Sequence, residues 1–223
     1  MNLRKQAASL AIMHAAGILQ PLLVLPYAGR VLGPLHFGQY AYVMSVGWLA
    51  ATISEYGFHW TAQRAAASAR HEPAVIASLF AEVTATKAIL CFVVTLAGVA
   101  AADGLLAVSK PMFLCAMLTS VGGILFPAWL FIALERAWQA AIAVVVGRSL
   151  ALVCFLTMVT SSAQIELAVA IQSSIPLVAG LVSLPFIVPI GFSGFRAVTP
   201  SAVGSSFGTA GEDSSILLSR GQP

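Results

Sequence analysis

The sequence predicts an all-α fold, a polytopic membrane bundle of about six transmembrane helices resembling one lobe of a two-lobe transporter. Three observations predict it. The chain is 59% apolar and 9% charged, with a mean hydropathy of +0.93; ordinary soluble domains run roughly 45–50% apolar and about 25% charged. So few charges cannot cover a globule of 223 residues with a water-compatible surface. Second, apolar runs recur at close to the length of about 20 residues that a hydrocarbon core of about 30 Å requires. Third, residues 25–70 alternate an apolar segment end, a Gly/Pro turn, a second apolar segment and a polar return with two arginines, the order of parts of a span, an outer turn, a span and a basic inner loop.

The first span runs over Ala7–Ala28 and is interrupted by Pro21 and Pro26. It reads as uncleaved, because the apolar run continues past Gln20-Pro21 and no small-residue cleavage site follows it. Pro21 removes a backbone hydrogen bond and is expected to kink the helix against protein or a cavity. The second span is Phe37–Ile53, and the third, Val75–Ala101, contains Glu82 and Lys87. The fourth is Met112–Leu134, bent at Pro127, with Gly122-Gly123 permitting close helix approach. The fifth is Trp138–Val159, with Arg148 inside, and the sixth is Ile165–Ile190, with Pro176, Pro185 and Pro189. Together residues 1–190 form one membrane lobe. Residues 191–223 are rich in Gly, Ser and Thr and read as a polar, disordered tail.

Basic residues orient the chain. With the N-terminus cytoplasmic, the inner side collects Arg4, Lys5, Arg64, Arg70, Arg136 and Arg196, and the outer side only Arg30 and Lys110. Trp48, Trp60, Trp129, Trp138, Tyr27 and Tyr56 lie mostly toward span ends, as an interfacial aromatic belt would place them. The net charge of +3 is spread out with no Lys/Arg-rich run, which speaks against nucleic-acid binding.

Polar groups within spans are costly and point to function. Arg148 lies about 15 Å from either end of its span, where a central Arg costs about 2.5–3.5 kcal/mol. An anionic ligand would offset that cost, and the alternative is an internal ion pair, with Glu82 the candidate partner. Thr84, Lys87, Cys91 and Thr95 share one helix face, a narrow polar stripe. Either the stripe lines a cavity where Lys87 meets an anion, or Lys87 snorkels to the inner interface. Gln20 and His14 precede the Pro21 kink, and Arg30 and His36 flank the outer turn, where Arg30 either meets an anionic headgroup or is simply solvated. The candidate substrate-binding residues are therefore Arg148, Lys87, Arg30 and Gln20. Cys91, Cys115 and Cys154 fall in apolar runs without metal spacing, and the four histidines show no ligand pattern. No catalytic motif is present, so no metal, no cofactor and no enzymatic activity are expected.

The residues Leu25-Pro26-Tyr27, Arg30 to Pro34, Phe37-Gly38-Gln39-Tyr40 and Glu55-Tyr56-Gly57-Phe58, followed by Ala62-Gln63-Arg64, resemble the N-terminal signature of bacterial polysaccharide flippases. These are the Wzx-type O-antigen and exopolysaccharide translocases of the multidrug/oligosaccharidyl-lipid/polysaccharide superfamily. Pro127-Ala128-Trp129-Leu130-Phe131 with Glu135 is similar to that family's motif after the fourth span, without the Gln-Gly often found before the Glu. The resemblance implies a multi-pass carrier in the bacterial cytoplasmic membrane. It would move undecaprenyl-diphosphate-linked oligosaccharide between leaflets, with buried cations neutralising the diphosphate and two bundles alternating access. Family members carry two lobes; six spans would be one, either paired with a second lobe or copy or left as a truncated form. The competing readings are a multidrug cation antiporter of the same fold, which needs an acidic pocket, and an inactive remnant.

Overall fold

A computed structural model describes residues 3–55, 57–70 and 72–191. The tail expected from residue 191 onward lies, beyond Gly191, outside the described residues, as does Tyr56. The described residues are helical nearly throughout: α1 (Leu3–Glu55), α2 (Phe58–Ser68), α3 (Pro73–Ala101), α4 (Lys110–Leu125), α5 (Ala128–Ala133), α6 (Ala137–Met158), a single 3-10 turn at Ser162–Gln164, α7 (Ile165–Ser173) and α8 (Ile175–Gly191). Five helical stretches are long and apolar enough to cross a membrane, the first being 52 residues long. The protein is a multi-pass membrane helix bundle.

That first stretch holds two spans. Pro21, Pro26 and Pro34 all lie inside α1, but Gly33 alone leaves the helical region, at φ 73° and ψ 169°. The helical backbone continues through Pro21 and Pro26, and the chain turns within the expected Gly/Pro segment, at Gly33, where a positive φ costs glycine nothing. The two limbs fold back on each other. Gln20 donates to the side chain of Gln172 at 2.8 Å, and Tyr40, twenty residues on, lines the same cavity as both. A straight helix would hold Gln20 and Tyr40 about 30 Å apart. Tyr27 and Tyr40 likewise both meet the ring of Phe155, each with centroids 6.2 Å away.

The polar return after α1 is also more ordered than its composition suggests. Residues 58–68 form α2, whose small Ala62 and Ala66 are buried against Trp129, Leu130 and Ala133 of α5. Trp129 is thus a core residue, 2% exposed, and not part of an aromatic belt. Trp48, Trp60 and Trp138 are exposed. Arg70 pairs with Glu135 across this same end of the bundle at 2.6 Å. The loops after the second and fourth spans therefore meet at one end, as an antiparallel six-span order requires.

Helix ends follow local chemistry. Pro127 interrupts the fourth span as expected: Phe126 and Pro127 are non-helical between α4 and α5, since the residue before proline disfavours the α region. Gln164 accepts the backbone N–H of Thr160 and Ser161 and closes the turn before α7. Close approach is made by small residues. A Cβ on Gly122 would overlap the backbone of Pro176 and Leu177, so α4 and α8 touch backbone to backbone. Hydroxyls within spans are mostly absorbed locally: Ser45, Thr52, Ser54, Thr86 and Thr95 each donate to the carbonyl four residues earlier, as apolar surroundings demand.

Candidate functional site

The packing leaves a cavity of about 600 Å³ bordered by both limbs of α1, by α3, α4 and α6, and by the α7–α8 junction. Its wall is largely apolar, with Leu25, Ala41, Met44, Trp48, Ile124 and Val144, and a few polar groups converge on it: Gln20, Tyr40, Ser120, Gln172 and the charged Glu55, Lys87 and Arg148. A mostly apolar cavity with a few placed polar groups is the usual form of a ligand site.

Arg148 is the twelfth of the 22 residues of α6, about 15 Å from each end. Its Nη1 donates to Gln20 Oε1 at 3.5 Å, a long contact to a neutral amide. Its Nε is buried with no hydrogen-bond partner. Gly17 lies beside the guanidinium: a Cβ there would sit in ordinary contact, 3.8 Å from Nη2. Gln20 is itself 5% exposed and is oriented by its own donation to Gln172, so its carbonyl oxygen is turned to Arg148. An Arg carries five N–H donors, and a buried charged donor left unmatched costs more than the about 1–3 kcal/mol of a neutral one. Glu82, the partner proposed on sequence grounds, forms no ion pair with Arg148 among the described residues.

Lys87 behaves differently. It is the fifteenth of the 29 residues of α3 and is 4% exposed, so the snorkelling alternative does not hold. Its Nζ meets Glu55 Oε1 at 3.3 Å, longer than the roughly 2.7–2.9 Å of a strong charge-assisted bond. The lysine side chain is 5% exposed and the glutamate 48%. On the stripe, Cys91 is buried with Lys87, while Thr84 and Thr95 are half-buried and Thr95 bonds the Cys91 carbonyl. Ser120 also borders the cavity; it is 3% exposed and its Oγ has no partner.

Of the four residues singled out from sequence, the fold brings Gln20, Lys87 and Arg148 to one cavity. Arg30 is exposed and does not border it. Its place three residues before the Gly33 turn puts it at the far end of the first limb. His14 is also exposed. Sequence reading missed Glu55, which sits at the last position of α1, and the cavity-lining Tyr40 and Gln172. Gln172 carried a signal, an amide within an apolar span, while Glu55 looked like an ordinary span end.

Comparison with known proteins agrees with the N-terminal motif. No solved structure matches significantly. A protein of Escherichia coli (strain K12) named "Putative O-antigen transporter" is 30% identical over 200 residues, which is 87% of this chain and 47% of that one. A protein of the same name from Shigella dysenteriae is 26% identical over 186 residues, 82% of this chain and 46% of that one. The chain thus spans about half the length of the curated relatives it matches. Residues 3–207 match the family described as "Polysaccharide biosynthesis protein", and the chain belongs to that family.

Proposed function

We propose that this chain acts in the transport of a lipid-linked polysaccharide precursor across the bacterial inner membrane, with its N-terminus on the cytoplasmic side. In this reading the cargo is an undecaprenyl-diphosphate-linked oligosaccharide, as the family resemblance implies, and Arg148 receives its diphosphate. The observation that carries the reading is the charge balance of the cavity. Its charged lining groups are Lys87, Glu55 and Arg148; the first two neutralise each other, which leaves one positive charge, on Arg148. A guanidinium at mid-membrane depth with a bare Nε suits a planar anionic group, which it can hold through paired N–H donors. The polar headgroup would occupy the cavity while the polyprenyl tail stays in lipid. A second lobe or a second copy would supply the facing wall for alternating access.

Names of the relatives support transport of O-antigen, and the family description supports polysaccharide biosynthesis. The cation-antiporter alternative needs an unpaired acid in the pocket, whereas the acid that borders this cavity is held by Lys87. The test is genetic. In a strain lacking the gene, the wild-type chain restores surface polysaccharide and an Arg148→Gln variant of equal abundance does not. Equal rescue by both removes Arg148 from the transport pathway; no rescue by wild type favours an inactive remnant.

A further inference from the structure

The Lys87–Glu55 contact is lopsided in a way that an ordinary structural ion pair is not. Lys87 cannot withdraw: it stands at the midpoint of α3 and its side chain is 5% exposed. Glu55 can: its side chain is 48% exposed, it is the last residue of its helix, and Gly57 follows with a left-handed φ of 76°. The contact is 3.3 Å, against 2.6 and 2.8 Å for the two surface pairs among the described residues. An ammonium has three N–H donors, and among the described residues Glu55 is its one hydrogen-bond acceptor. Both groups border the cavity that holds Arg148.

We propose that Glu55 is a built-in competing carboxylate, which holds Lys87 until a ligand with two adjacent anionic groups displaces it. This rests on the reading of Arg148 as an anion site and deepens it. A ligand with one anionic group is satisfied by Arg148 alone. A diphosphate has a second anionic group to offer, and that group gains Lys87 only as the Glu55 carboxylate swings out toward its exposed side. Glu55 thereby sets how strongly the cavity prefers a diphosphate over a monophosphate. It also keeps a mid-membrane ammonium neutralised when no anion is present. The exchange is one of contacts alone: no bond is made or broken.

The test is binding of inorganic pyrophosphate and inorganic phosphate to the purified full chain in detergent, measured by calorimetry. Glu55→Gln is expected to tighten pyrophosphate at least about tenfold, a change that loss of one nearby carboxylate can supply, and to leave phosphate nearly unchanged. Glu55→Asp keeps the negative charge but draws it back from Lys87. It should give a smaller gain of the same kind, which separates competition from simple repulsion and serves if the Gln variant fails to fold. Adding Lys87→Gln to either variant should erase the gain. Unchanged or weaker pyrophosphate binding in both Glu55 variants overturns the proposal, as does a gain that survives Lys87→Gln. Arg148→Gln reads the underlying site separately: wild-type pyrophosphate affinity there sinks the anion role of Arg148, whatever the Glu55 variants show.

Discussion

Two cations border one cavity and are treated oppositely by the fold. Lys87 is at the centre of α3, is nearly inaccessible and has a carboxylate. Arg148 is at the centre of α6, is half-buried and has a distant neutral amide. Membrane depth alone therefore does not mark a functional charge. A charge answered within the chain is open only to a ligand that displaces its partner, and one left unanswered at the middle of its helix is where a ligand of opposite sign gains most. The contrast also explains why Gln20 and Gln172 matter. They fix an acceptor near Arg148 without neutralising it, where a Glu in place of Gln20 would turn Arg148 into a second Lys87.

The largest expected effect breaks the comparison at its unpaired member. Arg148→Leu removes a buried donor that has no partner and replaces it with a side chain suited to lipid or core. Even a buried ion pair can often be replaced by apolar groups at no loss or with a gain of about 1–4 kcal/mol, and a guanidinium without an ionic partner has less to lose. The variant should therefore melt at or above the wild-type temperature in detergent, by thermal denaturation, while losing rescue of surface polysaccharide. A variant that melts much lower would show that Arg148 holds the bundle together, and its loss of activity would then say nothing about anions.

The next effect sharpens the paired member. Glu55→Gln strands a buried ammonium, whereas Lys87→Met leaves a carboxylate that already has water or headgroups on one side. Breaking a fully buried pair costs about 3–5 kcal/mol, and the half-exposure of Glu55 lowers that to about 1–2 kcal/mol by screening. Glu55→Gln should lower the melting temperature by several degrees, and Lys87→Met should change it little. Equal losses would mean that the two ends of the pair are equally confined, contrary to their exposures of 48% and 5%.

Which parts of this were legible beforehand follows from how far each signal reaches along the chain. Arg148 stood out because ten apolar-rich positions flank it on each side, a one-dimensional property that survives folding. The span count survived for the same reason. The turn at Gly33 was legible as a Gly/Pro pair between two apolar runs, while Pro21 and Pro26 leave the backbone helical. A helix within a bundle absorbs a lost hydrogen bond when its neighbours supply packing, whereas a positive φ reverses the chain outright. α2 was hidden because its buried face is made of Ala62 and Ala66, too small to register as an apolar stripe. The Lys87–Glu55 pair was invisible because it joins residues 32 apart on different helices, and no sequence period predicts which helix ends come to face a cavity. Arg30 misled because its charge and its place beside a turn are what an ordinary solvated turn also shows.

The smallest effect tests whether an ion pair outside the cavity obeys the same logic. Arg70 and Glu135 meet at 2.6 Å with both side chains 37% exposed, and Arg70 also donates to the Ala133 carbonyl at 3.4 Å. Distance alone would rank this pair above Lys87–Glu55. Exposure reverses the rank, since pairs open to solvent are worth about 0.2–1 kcal/mol. Glu135 has in addition a left-handed backbone at φ 58°, a conformation that costs a non-glycine residue about 1 kcal/mol. Glu135→Gly removes both terms at once, the pair that stabilises and the backbone that does not. The two nearly cancel, so the melting temperature should move by no more than about 2–4 °C. Glu135→Ala loses the pair and keeps the strain, so it should melt below Glu135→Gly. If the Ala variant melts higher, the left-handed turn is not where the cost lies, and the short Arg70 contact contributes more than its exposure allows.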